Sequence, residues 1–400
     1  MLPDGWRRCT LEDIAKVSSG GTPDRSRSDY WGGNIPWVTT GEIGNGPINS
    51  TAEKITDIGL RNSAAKIFPA GTLLMAMYGQ GKTRGRIAAL SIDASTNQAC
   101  AAIIAAKNSS ADFLVHNLRA RYEEIRNLSH DGSQKNLSAG LIKSLPILLP
   151  PLPEQRKIAE ILSTWDAAIS AQERLIANAK RQKKALMQTL LPTGAHPPRK
   201  RLPGFSGAWV SRVFGAIAES EKRRIDPKSL TSATKCVELE HIESETGALL
   251  GFCDARAQAS LKSVFEPGYI LYGKLRPYLR KFHRPDFSGV CSTEIWSIKA
   301  NEKICLPDFL YYLVQSPAFG EAVDISSGSK MPRADWGIVK GAKFQLPDLN
   351  EQRAICDVLD AAETELSYSQ QHLATLAREK SALMQQLLTG KRRVKAEGAA

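Results

Sequence analysis

The feature that most constrains this chain is an internal repeat with an offset of 197 residues. The segment that begins LPPLPEQRKIAEIL at Leu149 returns as LPDLNEQRAICDVL at Leu346. Over the 43 residues that start at these two positions, 18 are identical without a gap. Weaker matches at nearly the same offset continue upstream, such as Asp-Phe-Leu at 112–114 and 308–310. A chain of 400 residues with such a repeat is expected to fold as two related halves.

The two matched segments have the pattern of long helices that pack as a coiled coil. Their apolar residues step alternately by three and four positions, which is a period of 3.5 residues. The predicted seam residues are Ile158, Leu162, Trp165, Ile169, Ile176, Leu186 and Leu190 in the first copy, and Ile355, Leu359, Leu366, Leu373, Leu376, Leu383 and Leu387 in the second. Polar seam places at Gln172, Lys183, Ser369 and Lys380 are expected to fix the register of the pair.

The charges of the two segments favour an antiparallel pair. Basic residues gather near the C-terminal end of 149–193, whereas acidic residues gather near the N-terminal end of 344–390. An antiparallel arrangement brings these two ends together, while the apolar seam supplies most of the stability. The sequence therefore predicts an antiparallel coiled coil within one chain, about 60 Å long at about 1.5 Å per residue. A helix pair formed with a second chain is the alternative interpretation.

The repeat divides the chain into six predicted segments and gives the fold class. They are a first mixed domain at 1–148, a first long helix at 149–193, a linker at 194–206, a second mixed domain at 207–343, a second long helix at 344–390 and a basic, solvated tail at 391–400. Within the mixed domains, strands are predicted at 35–38, 72–77 and 270–272, and helices at 112–128 and 308–320. The predicted fold class is α+β, with two mixed α/β domains separated by the helix pair and related by a pseudo-twofold axis.

Composition narrows the class of protein. The chain has 53 Lys and Arg against 41 Asp and Glu, a net charge of +12, which favours an anionic partner such as nucleic acid. With 42% apolar and 24% charged residues, it has an ordinary globular composition. The longest apolar run, at 99–106, is too short to span a membrane, and no signal-peptide core is present. Seven Cys without CxxC spacing and six scattered His predict a reduced, cytoplasmic protein with no metal site.

Loops rich in glycine and in basic or amide residues recur at matching places in the two halves. Glycine lets the backbone approach a phosphate, Lys and Arg neutralise it, and Arg, Gln and Asn can pair with base edges. The candidate DNA-contacting residues are Arg25, Arg27, Lys82, Arg84, Arg86, Gln134 and Lys135 in the first half, and Arg223, Arg224, Lys274, Arg276, Arg280, Lys330 and Arg333 in the second. Each loop alone is also typical of a solvated turn.

Two other classes of protein remain as alternatives. Residues 76–83 read AMYGQGKT and end like a phosphate-binding loop, which would indicate an NTPase. The usual first glycine is Ala76, however, and Gly85 falls where a helix should begin. A protein–protein scaffold with an incidental basic charge is the second alternative. No other catalytic constellation is found in the sequence, so we predict no catalytic residue in this chain.

The sequence resembles the specificity subunit of type I restriction–modification enzymes over essentially its whole length. The resemblance lies in GWRRCTLEDIAKVSSGGTPDRSRSDYWGGNIPWVTTGEI at the start, and in PPLPEQRKIAEILSTWD with its second copy PDLNEQRAICDVLD. The second module lacks the Gly-Thr-Pro and Ile-Pro-Trp blocks of the first. This departure is what two modules that recognise different halves of a target sequence would show. It leaves the contact residues of the second module open.

The resemblance implies a function built on two readers. Each mixed domain would be a target recognition domain that reads one half of a bipartite, asymmetric site in double-stranded DNA, and the helices would set the gap. The helix pair would dock two methyltransferase subunits, and through them restriction and translocation subunits. The chain itself would be non-catalytic and bind no cofactor, because S-adenosylmethionine, ATP and Mg²⁺ would be held by the partner subunits.

Overall fold

The chain folds into two compact units. The computed structural model describes residues 2–44, 46–79, 82–128, 136–325 and 331–395. One unit comprises Met1–Glu173 with Gln371–Ala400, and the other comprises Arg174–Gln370. Each unit therefore contains one mixed module together with a part of each long helix.

The first module is built from short strands and short helices ahead of the first long helix. Its strands are β1 (Arg7–Thr10), β2 (Ala15–Ser19), β3 (Trp31–Val38), β4 (Glu53–Ile55), β5 (Leu73–Ala76), β6 (Ile87–Ala89), β7 (Ser95–Thr96), β8 (Cys100–Ala105) and β9 (Pro146–Leu149). The helices are α1 (Asp57–Arg61), α2 (Ala111–Ala120), α3 (Tyr122–Asn127), α4 (Ala139–Lys143) and the long α5 (Leu152–Leu190).

The second module follows the same plan. Its strands are β10 (Val210–Val213), β11 (Ala218–Ser220), β12 (Arg224–Ile225), β13 (Lys235–Val237), β14 (Cys253–Asp254), β15 (Lys262–Phe265), β16 (Ile270–Gly273), β17 (Phe282–His283), β18 (Gly289–Ser292), β19 (Ile295–Ala300) and β20 (Lys343–Leu346). The helices are α6 (Phe214–Ile217), α7 (Pro307–Leu313), α8 (Pro317–Asp324), α9 (Trp336–Val339) and the long α10 (Leu349–Leu387).

Sheet topology repeats where the sequence repeat is faint. The first module has sheets of order β1-β9, β2-β8-β5-β6 and β4-β3-β7, and the second has β10-β20, β11-β19-β16-β17 and β12-β15-β18-β13-β14. In each module one parallel pair, β3 with β7 or β13 with β18, lies in the third sheet, and its other pairs are antiparallel. The two halves therefore share one architecture, and the second module extends its third sheet by two strands.

The helices predicted at 112–128 and 308–320 are each broken into two, so those predictions were wrong in detail. The first helix is interrupted at Arg121, between α2 and α3. In the second half the interruption precedes Pro317, which has no N–H to donate and opens α8 with Ser316 as its cap. Short, reoriented helices replace one straight helix in both places.

The start of α5 holds the first module through buried polar side chains. Trp6 donates its indole N–H to Glu154 at 3.1 Å. The amide of Gln155, which is 1% exposed, accepts from the Ser110 N–H and donates to the carbonyls of Asn108 and Pro150. These bonds satisfy backbone groups at a buried or half-buried junction. The Glu-Gln pair of the repeated motif is therefore a structural joint between module and helix.

The start of α10 holds the second module with equivalent bonds. Trp209 donates to Glu351 at 3.1 Å, and the Leu306 N–H donates to Gln352. Gln352 donates in turn to the carbonyls of Ile304 and Pro347. The helix begins at Leu349, where Asp348 accepts from the N–H groups at the first turn.

Within each unit the two long helices run antiparallel, as the sequence predicts. In the first unit Ile158 and Leu162 share a core with Leu387, and Lys380 forms an ion pair with Asp166. The second unit pairs Lys183 with Glu363. The polar seam lysines thus pair with carboxylates on the opposing helix, a geometry that opposes sliding of the helices. Of the predicted seam residues, Ile158, Leu162, Ile176, Leu190, Ile355, Leu359, Leu366 and Leu387 are buried, and Trp165, Ile169, Leu186, Leu373, Leu376 and Leu383 are half-buried.

The segment at 391–400 is not simply a solvated tail, which corrects that expectation for its described part. Arg393 forms two hydrogen bonds with the carboxylate of Glu154, at 3.0 and 2.8 Å. Val394 packs against the core of the first unit. Arg201, in the linker, makes the same kind of pair with Glu351 in the second unit. A basic residue after each long helix therefore neutralises the buried glutamate that begins the other.

Candidate nucleic-acid interface

The β5–β6 hairpin of the first module presents three of the predicted contact residues. Lys82 is exposed, and its carbonyl accepts from the Tyr122 hydroxyl at 2.6 Å. Arg84 donates from Nη2 to the carbonyl of Arg126 at 2.8 Å, which ties its guanidinium to α3. Arg86 is half-buried and lines a cavity of about 770 Å³ beside α2. Lys82 is thus presented outward, whereas Arg84 is used to hold the hairpin.

The loop before β3 places two further candidates over aromatic rings. The guanidinium of Arg25 lies 3.8 Å from the ring centre of Trp31 and also pairs with Glu53. Arg27 lies 4.9 Å from the Tyr30 ring, and its hydrogen bonds with Asp29 raise the pKa of Arg27 above its ordinary value. Both guanidinium groups remain about half exposed. Each guanidinium therefore combines a ring contact with a carboxylate pair on a surface open to solvent.

Two loops of the second module form one surface. Leu275 and Arg333 form a β-bridge, the Arg276 N–H donates to Pro332, and the Ala334 N–H donates to Lys274. The structure therefore brings Lys274, Arg276 and Arg333 together. The matching bond in the first module runs from the Leu137 N–H to the Met77 carbonyl. Gln134, Lys135 and Lys330 lie outside the described residues.

Arg276 and Arg280 flank the turn Pro277–Leu279, and their guanidinium groups have different surroundings. Both have positive φ angles, +52° and +46°, which non-glycine residues adopt rarely. Arg276 is exposed, whereas Arg280 donates to the carbonyl of Gly320 and pairs with Asp324 in α8. The guanidinium of Arg280 is therefore engaged inside the module, and that of Arg276 faces outward.

The pair Arg223 and Arg224 lies at the edge of the third sheet. Hydrogen bonds with Glu266 and Glu221 engage the guanidinium of Arg223 and raise its pKa. Arg224 is exposed and, with Lys274, lines a cleft of about 290 Å³. The cleft thus brings a candidate from the first loop of this module, Arg224, beside one from the hairpin, Lys274.

Exposed tyrosines on the hairpins are functional candidates that the sequence reasoning missed. Tyr78 is 40% exposed beside the β5–β6 turn, and Tyr278 is 56% exposed in the turn between Arg276 and Arg280. A large aromatic side chain held in water on a loop is typical of a binding surface. The signal available in the sequence was their position next to the glycine-rich, basic runs.

The segment at 76–83 is not a phosphate-binding loop. It follows β5, but the chain then returns as β6, and the two strands pair antiparallel over Leu73 to Met75. The Gly85 N–H donates to the Ala76 carbonyl, which closes the hairpin. A phosphate-binding loop runs instead into the N-terminus of a helix, whose N–H groups hold the phosphate. The NTPase alternative is therefore not supported.

His116 is a buried titratable group between α2 and α5. Its Nε2 lies 3.1 Å from the Ser163 hydroxyl, and Nδ1 lies 3.7 Å from Asp166. Burial lowers the pKa of His116 to about 4, against the raising effect of Asp166, with Lys380 and Arg119 adding to the lowering. In the second half Tyr312 occupies this place and donates to Asp360.

We expect the first unit to lose stability in acid because of His116. The folded pKa is lower than the unfolded value of 6.5, so the unfolded chain binds more protons between pH 6.5 and about 4. The free energy of unfolding should therefore fall as the pH drops through this window, by up to about 3 kcal/mol from this group. Urea unfolding at pH 7 and pH 5 measures the loss. In His116→Gln the loss should be smaller, and an unchanged loss would contradict the assignment.

Neither a metal centre nor a membrane span is found in the described ranges. No group of three or more His, Cys, Asp and Glu side chains there could hold a metal ion. None of the helices in those ranges is both long and apolar enough to cross a bilayer.

The fold defines a class of protein with two modules of one architecture, unlike loops and an antiparallel helix pair. The family model for the type I restriction modification DNA specificity domain matches residues 3–181 and 275–378, more than half of the chain. The chain belongs to this family.

Individual relatives agree with the family assignment. The specificity subunit of the type I restriction enzyme MjaIX from Methanocaldococcus jannaschii is 28% identical over 195 residues, which cover 48% of this chain and 43% of the relative. Among solved structures, the S subunit of a type I restriction–modification system from M. genitalium has a TM-score of 0.60 at 14% identity, over 97% of this chain and 98% of that one. A chain from work on complex assembly of the type I R-M system has a TM-score of 0.59 at 17% identity, over 98% and 100%. At these identities the structural matches show the shared fold.

Proposed function

We propose that this chain is the DNA sequence-recognition subunit of a cytoplasmic type I restriction–modification complex. Each module reads one half of a bipartite, asymmetric site in double-stranded DNA, and the two long helices set the gap between the halves. The observation that carries the proposal is that two modules of one architecture are joined to the helices by the same Glu-Gln contacts but carry different loops.

The loop geometry separates proposed contact residues from positioning residues. Lys82, Arg276 and Arg224 are exposed on the loops and are the proposed contacts, together with the half-exposed Arg25 and Arg27. Lys274 and Arg86 line cavities beside these loops, and the exposed Arg333, which pairs with Glu294, completes the proposed set. Arg84 and Arg280 hold backbone or carboxylate groups and would orient the loops. Arg223 pairs with carboxylates and is about half exposed, as Arg25 and Arg27 are, so it stays among the proposed contacts. Gln134, Lys135 and Lys330 remain proposed contacts from the sequence alone.

The proposal assigns all chemistry to partner subunits. The helix pair docks two methyltransferase subunits, which bind S-adenosylmethionine, and restriction and translocation subunits that use ATP and Mg²⁺ join through them. The chain contributes recognition and spacing and no catalytic group. Support comes from the specificity-subunit relatives and from the structural match to a chain of a type I complex.

Replacing Arg276 by Ala should weaken binding of cognate DNA. An arginine that pairs with a base edge contributes about 1–3 kcal/mol of discrimination, so we expect roughly a 5- to 150-fold loss of affinity and relaxed preference at one position. Binding is measured by electrophoretic shift with duplex DNA, for the chain assembled with its methylation subunit. Arg212→Ala, at an exposed position of β10 in the same module and outside the proposed contacts, is the matched control and should leave the affinity unchanged.

Salt dependence distinguishes DNA recognition from a protein–protein scaffold. Lys and Arg contacts to phosphates release counterions, so the affinity for DNA should fall steeply as the salt concentration rises. If the assembled chain shifts no duplex at low salt, the proposed function is wrong and a scaffold is favoured. If Arg276→Ala binds every sequence as the unmodified chain does, the hairpin assignment is wrong.

A further inference from the structure

Equivalent edge strands in the two units point a backbone N–H group away from their partner strands. The offset of 197 aligns Leu148 of β9 with Gln345 of β20. The Leu11 N–H donates to the Leu145 carbonyl, and the alternation of an antiparallel ladder then directs the Leu148 N–H away from β1. The same alternation directs the Gln345 N–H away from β10.

In the second unit the linker after α5 covers this edge. The Gln345 N–H donates to the Gly194 carbonyl at 3.2 Å, and its side-chain amide donates to the Ala195 carbonyl at 2.9 Å. A Cβ added at Gly194 would lie 3.8 Å from that of Ala318, so the linker backbone passes close to α8. Pro192, just before it, is buried. A tight turn of small residues, closed by hydrogen bonds between Thr193 and His196, thus fills the groove beside β20.

In the first unit the chain leaves the corresponding groove open. After α10, Gly390 turns toward Pro3 and Trp6, so the chain does not follow the edge of β9. A cavity of about 450 Å³ remains, lined by Ile147, Leu148, Ala120, Met384 and Leu388 among others. Nothing in the described ranges accepts a hydrogen bond from the Leu148 N–H.

Polar groups at this groove indicate what would fill it. Asn117 lines the cavity and is 4% exposed, and its Oδ1 has no hydrogen-bond partner among the described residues. A buried acceptor of this kind requires a donor such as a backbone N–H. Arg8, the exposed cross-strand neighbour of Leu148, also lines the cavity, and its charge favours a carboxylate, whereas Arg121 already pairs with Glu124. The remaining lining is largely apolar.

We propose that this groove binds a turn of a partner protein that has small, apolar side chains beside an acidic residue. A backbone carbonyl of the segment accepts from the Leu148 N–H, and one of its N–H groups donates to Asn117. The segment covers the edge of β9, as the turn at 193–196 covers the edge of β20. That the partner is another subunit of the complex rests on the proposed function.

Hydrogen exchange at two equivalent amides tests the proposal. In the chain alone, the Leu148 amide should exchange fast and the Gln345 amide slowly, because only Gln345 has an acceptor. In the complex with the methylation subunit, exchange at Leu148 should slow by at least about tenfold, while Gln345 should not change. If the complex forms and methylates DNA but Leu148 still exchanges fast, the groove proposal is overturned and the proposed function stands. If no complex forms, the proposed function fails.

Variants at the groove separate direct binding from an indirect effect. Ala120→Trp fills the groove from an exposed position at the end of α2 and should abolish the protection of Leu148. Arg8→Glu should reduce it at least about threefold, whereas Arg7→Glu, the next exposed residue of β1, should leave it unchanged. Far-ultraviolet circular dichroism confirms that each variant folds. Protection that persists in Ala120→Trp would overturn the proposal.

A peptide with the linker sequence LLPTGAHP provides an independent probe of the groove. It should protect the Leu148 amide of the lone chain in a saturable way, and Ala120→Trp should remove that effect. If millimolar peptide gives no protection, the analogy between the linker at β20 and the partner segment at β9 is wrong. If the lone chain dimerises instead, and Ala120→Trp makes it monomeric, the occupant is a second copy and the proposed partner is wrong.

Discussion

Replacing Gln155 by Leu is expected to lower the free energy of unfolding of the first unit by about 3 kcal/mol. The apolar side chain has nearly the right size but leaves the Ser110 N–H and the carbonyls of Asn108 and Pro150 without partners. Each lost partner at a buried group costs about 1–3 kcal/mol, less where water can enter. Urea unfolding followed by circular dichroism measures the change.

A neighbouring substitution and an equivalent one provide the controls for Gln155. Arg156→Ala is exposed on the same turn of α5 and should change the stability by less than about 0.5 kcal/mol. Gln352→Leu breaks the same three bonds in the second unit and should destabilise that unit by a similar amount. A Gln155→Leu chain as stable as the unmodified one would show that the repeated pattern of bonds is not a structural joint.

Inserting four residues into each long helix is expected to change the recognised gap without changing either half-site. The insertions follow Glu173 in α5 and Gln370 in α10, where the two units divide. Four helical residues add about 6 Å, which corresponds to about two base pairs of DNA at 3.4 Å each. Methylation of the original site should then fall by at least about 100-fold, because the two halves no longer fit together.

The insertion requires a control of unchanged length. A triple variant of unchanged length alters exposed positions beside the first insertion, by Arg174→Ala, Leu175→Ala and Asn178→Ala. This variant should keep the original gap. Methylation of oligonucleotides whose gap varies by single base pairs measures the preference. An inserted chain that keeps the original gap, or that recognises new half-sites, would refute the spacing role of the helices.

The repeat and the seam could be predicted from the sequence because they depend on local periodicity. The spacing of Ile158, Leu162 and their equivalents is fixed by the helix itself, and the charge asymmetry between the two copies gives the antiparallel direction. The ion pair between Lys380 and Asp166 explains why a lysine can occupy a seam position, but it could not be predicted from the sequence. The partner carboxylate is 214 positions away in the sequence, and only the register brings it close.

The roles of individual loop residues could not be predicted from composition. Arg276 and Arg280 lie in one basic run, yet one is exposed and the other is held by Gly320 and Asp324. The difference depends on the packing of α8 against the hairpin, which joins residues about 40 positions apart. Arg84 and Lys82 differ for the same reason, because α3 binds the guanidinium of Arg84 but only the backbone carbonyl of Lys82.

The folds of the two modules could be predicted from the sequence only in part. Faint matches between the halves predicted a common architecture, but not that β3 with β7 and β13 with β18 would form equivalent parallel pairs. Such pairs join distant segments through backbone bonds, which leave little trace in side-chain type. The break before Pro317 was readable from the proline itself, whereas the break at Arg121 had no such mark.

Methylome sequencing of cells that express this chain with its methylation subunit tests the two-reader claim most directly. We predict one modified motif made of two unlike half-sites with a gap of fixed length, modified on both strands. Substitution of Arg276 should relax only the half-site that the second module reads. A single uninterrupted motif, or two half-sites separated by a variable gap, would contradict the claim that two modules read DNA at a set distance.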